Sequence, residues 1–289
     1  MDYIIHATVE GGARVFVATT KNLVEKARII HNTTPVVTAA LGRLLTAGAI
    51  MGATLKNETD LLTLNIKGDG PVGGLVVTAD NEARVKGYPH NSYVDIALKE
   101  NGKLDVSTAL GFGDFRVIKD IGLKEPVTGT IPLVSGEIAE DLTYYFAKSE
   151  QIPSSVALGV LVDRDYTVKQ AGGFIIQLLP NAEEDLIVHL ETVLPNIPSM
   201  TNMLEDGLSP EDILNRLFPS QKINIYNKIE TTFYCNCSRE KMAKALIALG
   251  LEELNIIKDE DKKASLSCHF CSEEQIFTEE DLKNIIENL

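Results

Sequence analysis

The chain carries four cysteines, and their placement limits what it can become more than any other feature. They read Cys235-Asn-Cys237 and Cys268-His-Phe-Cys271, two close pairs separated by a stretch with helical periodicity. Two such pairs brought together across a folded excursion are what a tetrahedral thiolate site requires. Each pair supplies two sulfurs, and four sulfurs close the shell, which describes a structural zinc site with no open catalytic position. The ligand is thiolate, so the metal has to hold the sulfurs deprotonated. Four thiolates on one divalent cation leave a net charge of about −2, and Arg239, Lys241 and Lys244 follow the first pair closely enough to soften it. Competing readings are four inert core cysteines, two structural disulfides, and His269 in place of one sulfur. The spacing favours one zinc per chain on Cys235, Cys237, Cys268 and Cys271.

One intervening residue is an unusual spacing for a structural zinc pair. Sulfurs around a tetrahedral metal lie roughly 3.8 Å apart, whereas a disulfide needs about 2.05 Å, so oxidising either pair removes two ligands. A bridge between residues i and i+2 demands a bent backbone, and strained, exposed disulfides tend to be labile. The sequence therefore suggests a metal site that can be switched.

The rest of the composition is that of an ordinary globular protein, with 44% hydrophobic and 24% charged residues. A formal net charge of −14 argues against nucleic acid or an anionic membrane as partner. The segment from Thr231 onward is itself acidic, which weakens a DNA-binding reading of the thiol module. Met-Asp-Tyr-Ile-Ile-His lacks the basic start of a signal peptide, and the apolar run 44–55 is too short to span a bilayer. These features point to a cytoplasmic protein with reduced thiols.

Along the chain, 2–9 and 13–19 read as a hairpin of strands turning at Glu10-Gly11-Gly12. Thr34 and Pro35 open a helix to about Thr54 that is apolar nearly all round, so it is expected to be a buried central helix. From Leu61 to Ile131 the pattern is β, with Gly68-Asp69-Gly70-Pro71 as a hairpin turn and short strands expected at 84–88, 93–98, 104–108 and 115–119. A helix over 136–149 capped by Ser135, strands over 156–162 and 173–179, and a helix from Asn181 through Val193 follow. Residues 195–230 are cut into short apolar pieces by Pro195, Pro198, Pro210 and Pro219 and must pack on something. In the tail, Ser238 caps a helix with Met242, Leu246 and Leu249 on one face. Thr278 caps another with Leu282, Ile285, Ile286 and Leu289. So small a tail can build only a marginal core, which metal would have to support. Residues 1–194 assemble no nucleophile, base and acid, and His6, His31, His90 and His189 have no companions, so no enzyme is expected.

Cys-x-Cys-Ser-Arg-Glu followed by Cys-x-x-Cys resembles the 33 kDa heat-shock protein family of redox-regulated chaperones. The resemblance extends to Thr38-Ala-Ala-Leu-Gly-Arg43, Lys67-Gly-Asp-Gly-Pro71, Tyr145-Phe-Ala-Lys-Ser-Glu-Gln151 and Gly172-Gly-Phe-Ile-Ile-Gln-Leu-Leu-Pro180. It implies an α+β fold with a chaperone core over 1–180, a helical linker over 181–230 and a zinc-binding redox switch over 231–289. It also implies disulfides Cys235–Cys237 and Cys268–Cys271 in an oxidised, zinc-free form. That form would hold unfolding client proteins without ATP, often as a homodimer. Two other readings stay open. One is a thioredoxin-like oxidoreductase using Cys268-His-Phe-Cys271; the other is a constitutive zinc-ribbon adaptor.

Overall fold

The computed structural model describes residues 1–288. The chain folds as two compact bodies, Met1–Tyr234 and the residues from Cys235 onward. In the larger body, β1 (Tyr3–Val9) and β2 (Ala13–Thr19) form the expected hairpin. Its turn needs φ of 92° and 100° at Gly11 and Gly12, which only glycine adopts without strain. A helix that the sequence did not announce follows, α1 (Lys21–His31). Its amino end is held from a distance: the Asp2 carboxylate accepts the Leu23 N–H at 2.7 Å and the Asn22 amide at 3.0 Å. Burial of Asp2 pushes its carboxyl pKa up, against those hydrogen bonds.

α2 (Pro35–Gly52) is the expected central helix, although Thr34 does not cap it with its side chain. The Thr34 hydroxyl instead donates to the Val94 carbonyl at 2.7 Å. α2 is also the one described helix long and apolar enough to cross a membrane, and 89% of that window is buried inside the fold. Its glycines allow close packing: a Cβ at Gly48 would lie 2.7 Å from Val77 Cγ1.

Next come β3 (Leu61–Gly68), β4 (Gly74–Asp80) and β5 (Arg84–Pro89), with Gly68-Asp69-Gly70-Pro71 turning between β3 and β4 as expected. Residues 93–98 form no strand. The stretch read as strand 104–108 enters α3 (Val106–Leu110), because the Asp105 carboxylate accepts the Thr108 N–H and caps a helix there. β6 (Gly113–Asp120) and β7 (Val127–Pro132) complete this region. α4 (Ala139–Tyr145) starts later than expected, since Gly136 and Ile138 both take positive φ. Its end is organised by the fully buried Asp141, not Ser135, with carboxylate oxygens accepting N–H groups of Val134, Ser135 and Ile138 at 2.7–3.0 Å. β8 (Ser154–Val162), β9 (Val168–Leu178), α5 (Glu184–Val193), α6 (Met200–Glu205) and α7 (Pro210–Leu217) follow. α5 has Glu183, not Asn181, at its N-cap position and no side-chain cap. The stretch 181–230, expected to be helical, is so only as far as α7. It then forms β10 (Ile223–Glu230), whose Ile-Asn-Ile alternation suits a strand, and the chain passes on into β11 (Thr232–Phe233).

The strands make two sheets, in the orders β10-β1-β2-β9-β8 and β11-β5-β4-β3-β6-β7; only β11 runs parallel to its neighbour. α2 packs against both. Period-two alternation divides the first sheet cleanly. Ile4, Phe16 and Ile175 face the α2 core, whereas Ile5, Val15, Val17 and Phe174 form a second apolar surface covered by α5, α6 and α7.

The smaller body comprises α8 (Arg239–Ile247), α9 (Leu251–Ile256), a hairpin of β12 (Lys263–Ser267) and β13 (Glu274–Thr278), and α10 (Glu279–Glu287). Ser238 and Thr278 cap their helices as expected. Leu249 lies beyond the end of α8 and is 53% exposed. Leu289 lies outside the described residues. The core is Met242, Leu246, Leu254, Phe277 and Leu282.

Candidate metal centre

Cys235 and Cys237 sit in the extended approach to α8, Cys268 directly after β12, and Cys271 in the turn before β13. That turn is tight. The Ser272 N–H donates to the Cys268 carbonyl at 2.8 Å, the Cys268 N–H donates to the Glu273 carbonyl at 2.9 Å, and Ser272 takes a left-handed φ of 58°. The fold brings all four cysteines together: their sulfurs lie within 4.8 Å of one another and each cysteine is half-buried. Cys235 Sγ is 3.7 Å from Cys268 Sγ, and Cys237 Sγ is 3.3 Å from Cys271 Sγ. These separations are near the roughly 3.8 Å edge of a zinc–thiolate tetrahedron and far from the about 2.05 Å of a disulfide. An all-sulfur donor set of this size fits zinc, and no nitrogen of His269 belongs to the group.

As thiols, Cys237, Cys268 and Cys271 are shifted by their surroundings. Burial, then hydrogen bonds to Cys271 and Cys235, push the Cys237 thiol up, and burial does the same to Cys271. Cys268 goes the other way: burial opposes it, but the Cys271 and Phe270 N–H groups and neighbouring thiols hold its thiolate form. Cys237 and Cys271, whose thiols resist deprotonation, are the sulfurs to which a bound cation would have most to supply. Glu273, which the spacing of cysteines did not bring forward, places Oε2 at 3.7 Å from Cys237 Sγ.

The cations expected to offset the cluster are partly committed elsewhere. Arg239 pairs with Asp281 at 2.8 Å, donates to the Ile276 carbonyl at 2.9 Å and lies 4.3 Å from the centre of the Phe277 ring. It therefore ties α8 to the hairpin and α10. Lys241 donates to the Asn236 carbonyl at 2.7 Å, which fixes the residue between the first two cysteines. Cys268-His-Phe-Cys271 lies in a strand-to-strand turn, not at a helix amino end, so the helix field that activates a thioredoxin-type thiol is missing. The four histidines of the larger body have structural partners within that body. His6 stacks on Phe16 at 4.5 Å, His31 and His189 bond the Gly87 and Leu217 carbonyls, and His90 stacks on Tyr88.

Comparison with known proteins agrees with this arrangement. Residues 2–278 match the family model described as Hsp33 protein. The chain is 54% identical over 286 residues to the 33 kDa chaperonin of Lachnoclostridium phytofermentans, covering 99% of this chain and 98% of that one. It is 52% identical over 290 residues to the 33 kDa chaperonin of Clostridioides difficile, covering 100% and 99%. The crystal structure of the 33 kDa chaperonin of Thermotoga maritima superposes with a TM-score of 0.91 at 36% identity, covering 99% of this chain and 98% of that one. A chain that folds as α+β, gathers its four cysteines in a small terminal body and matches these proteins over its full described length belongs to the Hsp33 family of chaperones.

Proposed function

We propose that this chain is a redox-regulated, ATP-independent holdase: inactive while reduced and zinc-bound, and active once its four cysteines are oxidised. The observation that carries this reading is the covered second face of the first sheet. Ile5, Val15, Val17 and Phe174 lie under α5, α6 and α7, helices of six to ten residues that are too short to persist without that contact. Removing the cover would bare a contiguous apolar surface suited to unfolded polypeptide.

Zinc bound to Cys235, Cys237, Cys268 and Cys271 would hold them as thiolates and contribute an apparent ~10–16 kcal/mol of folding energy. The smaller body's own core of Met242, Leu246, Leu254, Phe277 and Leu282 is too small to replace that. Oxidation joins Cys235 to Cys237 and Cys268 to Cys271, the pairing that the family resemblance implies. Each bond forms as two thiols lose two electrons and two protons to an oxidant such as hydrogen peroxide, which is reduced to two waters. The ligand set is then lost and the smaller body unfolds. Loss of order passes through Tyr234 into β11 and β10, an edge strand whose central residues are exposed, and from there to α7, α6 and α5. In functional terms the chain divides into a core over 1–180, a linker over 181–230 and a switch over 231–289. The net charge of −14 keeps a complex with client soluble. Reduced thiols at rest place the protein in a reducing compartment such as the cytoplasm.

The test is to treat the reduced, zinc-loaded chain with peroxide while following zinc in solution, free thiols and the aggregation of a chemically unfolded protein. Release of one zinc per chain should accompany loss of four thiols and the onset of holding. Oxidised, zinc-free protein that leaves aggregation unchanged would overturn the proposal, as would equal holding by the reduced zinc form.

A further inference from the structure

The two sheets present four edges, and three are defended in the usual ways. β11 is two residues long, β7 ends in Pro132, and β10 carries a bulge at His6/Ala7 of its partner and Lys228 in its run. β8 is different. It runs nine residues, Ser-Ser-Val-Ala-Leu-Gly-Val-Leu-Val, without a charge or a proline, and only β9 pairs with it. The Leu178 N–H donates to the Pro153 carbonyl at 2.9 Å, which sets the phase of the ladder. Residues 155, 157, 159 and 161 therefore bond to β9. Ser154, Val156, Leu158 and Val160 direct their N–H and C=O groups outward, where no described strand meets them.

Beside this edge lies a groove of about 430 Å³ whose apolar lining, Ile176, Leu178, Ile187, Leu190 and Leu194, is joined by Glu191 and by Ser154 and Ser155 of the edge itself. Ile176 and Leu190 also belong to the apolar surface that α5–α7 cover, so the groove is the open rim of that surface.

We propose that the β8 edge captures an extended, apolar segment of an unfolded client polypeptide as an added antiparallel strand, with client side chains entering the adjoining groove. The chemistry fits a partner of no fixed sequence. Main-chain hydrogen bonds recognise any extended polypeptide, and the uncharged edge and a groove that is apolar apart from Glu191 select segments that a folded protein would bury. The groove is only the rim of the covered surface, so the edge holds client tightly once α5–α7 move and the added strand's side chains reach the rest of that surface. This inference rests on the chaperone reading above and assigns the mode of binding within it.

Amide hydrogen exchange of the oxidised full chain, with and without a chemically unfolded cysteine-free protein, tests it directly. Exchange at Val156, Leu158 and Val160 should slow at least roughly tenfold on client binding. A Val156→Pro chain removes one outward donor without touching the ladder to β9, as an edge strand tolerates. It should release zinc on oxidation as the unaltered chain does, yet require several-fold more protein for the same suppression of aggregation. If the unaltered oxidised chain holds client while these three amides exchange unchanged and Val156→Pro holds equally well, the edge is not the site. If the unaltered oxidised chain holds nothing, the chaperone reading fails first and this inference fails with it.

Discussion

The larger and smaller bodies solve the problem of staying folded in opposite ways. The larger wraps two sheets around a helix that is buried on every side and covers one sheet again with α5–α7, so its order comes from apolar area. The smaller places five fully or nearly buried apolar side chains beside four sulfurs, and on the function proposed above most of its stability would come from coordination. Order held by area is insensitive to redox state. Order held by thiolates would be removed by oxidation, so on the proposed reading the small body comes apart, and the cover it leads to loosens, while the α2 core stays folded.

The largest effect expected from this contrast follows metal removal. A strong chelator applied to the reduced chain should strip amide protection from α8 and α10, the loss corresponding to an apparent ~10–16 kcal/mol, while α2 and β3 keep theirs. Loss of protection in α2 would break the comparison. Next come matched truncations within the larger body. Leu45→Ala in α2 and Ile213→Ala in α7 each remove a fully buried side chain and should each cost about 2–5 kcal/mol. Only Ile213→Ala loosens the cover over the first sheet, so it alone should give the reduced, zinc-bound chain measurable holding activity. Equal activity from Leu45→Ala would show that general instability, not uncovering, is what matters.

A smaller change is expected for Arg239→Ala. It removes an exposed pair with Asp281, a bond to the Ile276 carbonyl and a ring contact with Phe277, together worth roughly 1 kcal/mol. Zinc should then be lost at a several-fold lower chelator concentration, with the larger body's thermal transition unmoved. The smallest effect concerns pH. Burial, reinforced by Arg14, lowers the pKa of His6, whose Nε2 is buried without a partner. The unfolded chain takes this proton near pH ~6.5, and the folded chain only at lower pH. Falling pH through that window therefore favours unfolding. His6→Phe keeps the ring on Phe16 and should flatten the drop in melting temperature between pH 7 and pH 5; an unchanged slope would remove His6 from the account.

The cysteine cluster was legible because thiol spacing is a local code, and the fold brings together Cys235, Cys237, Cys268 and Cys271. The caps at Ser238 and Thr278 were equally local and stand where the sequence put them. What escaped depended on partners far away in the chain. α1 is anchored by Asp2, the start of α4 by the buried Asp141, and Thr34 gives up its capping role to Val94. Arg239 looked like a counter-charge for the sulfurs because it is adjacent to them in sequence, whereas Asp281 claims it in space. β10 was missed for another reason: proline spacing suggested a string of helical pieces, and the Ile223-Asn-Ile225 alternation that suits a strand is short.

The pairing of Tyr3 with Glu230 has a consequence for biosynthesis. The first strand made waits for nearly the last strand of the larger body before one of its flanks is closed, and α2 waits for β8 and β9 before its second side is covered. While the ribosome is still working, this chain carries its greasiest helix with one side bare through about a hundred residues of synthesis. A protein that shelters others thus begins life as one that needs sheltering.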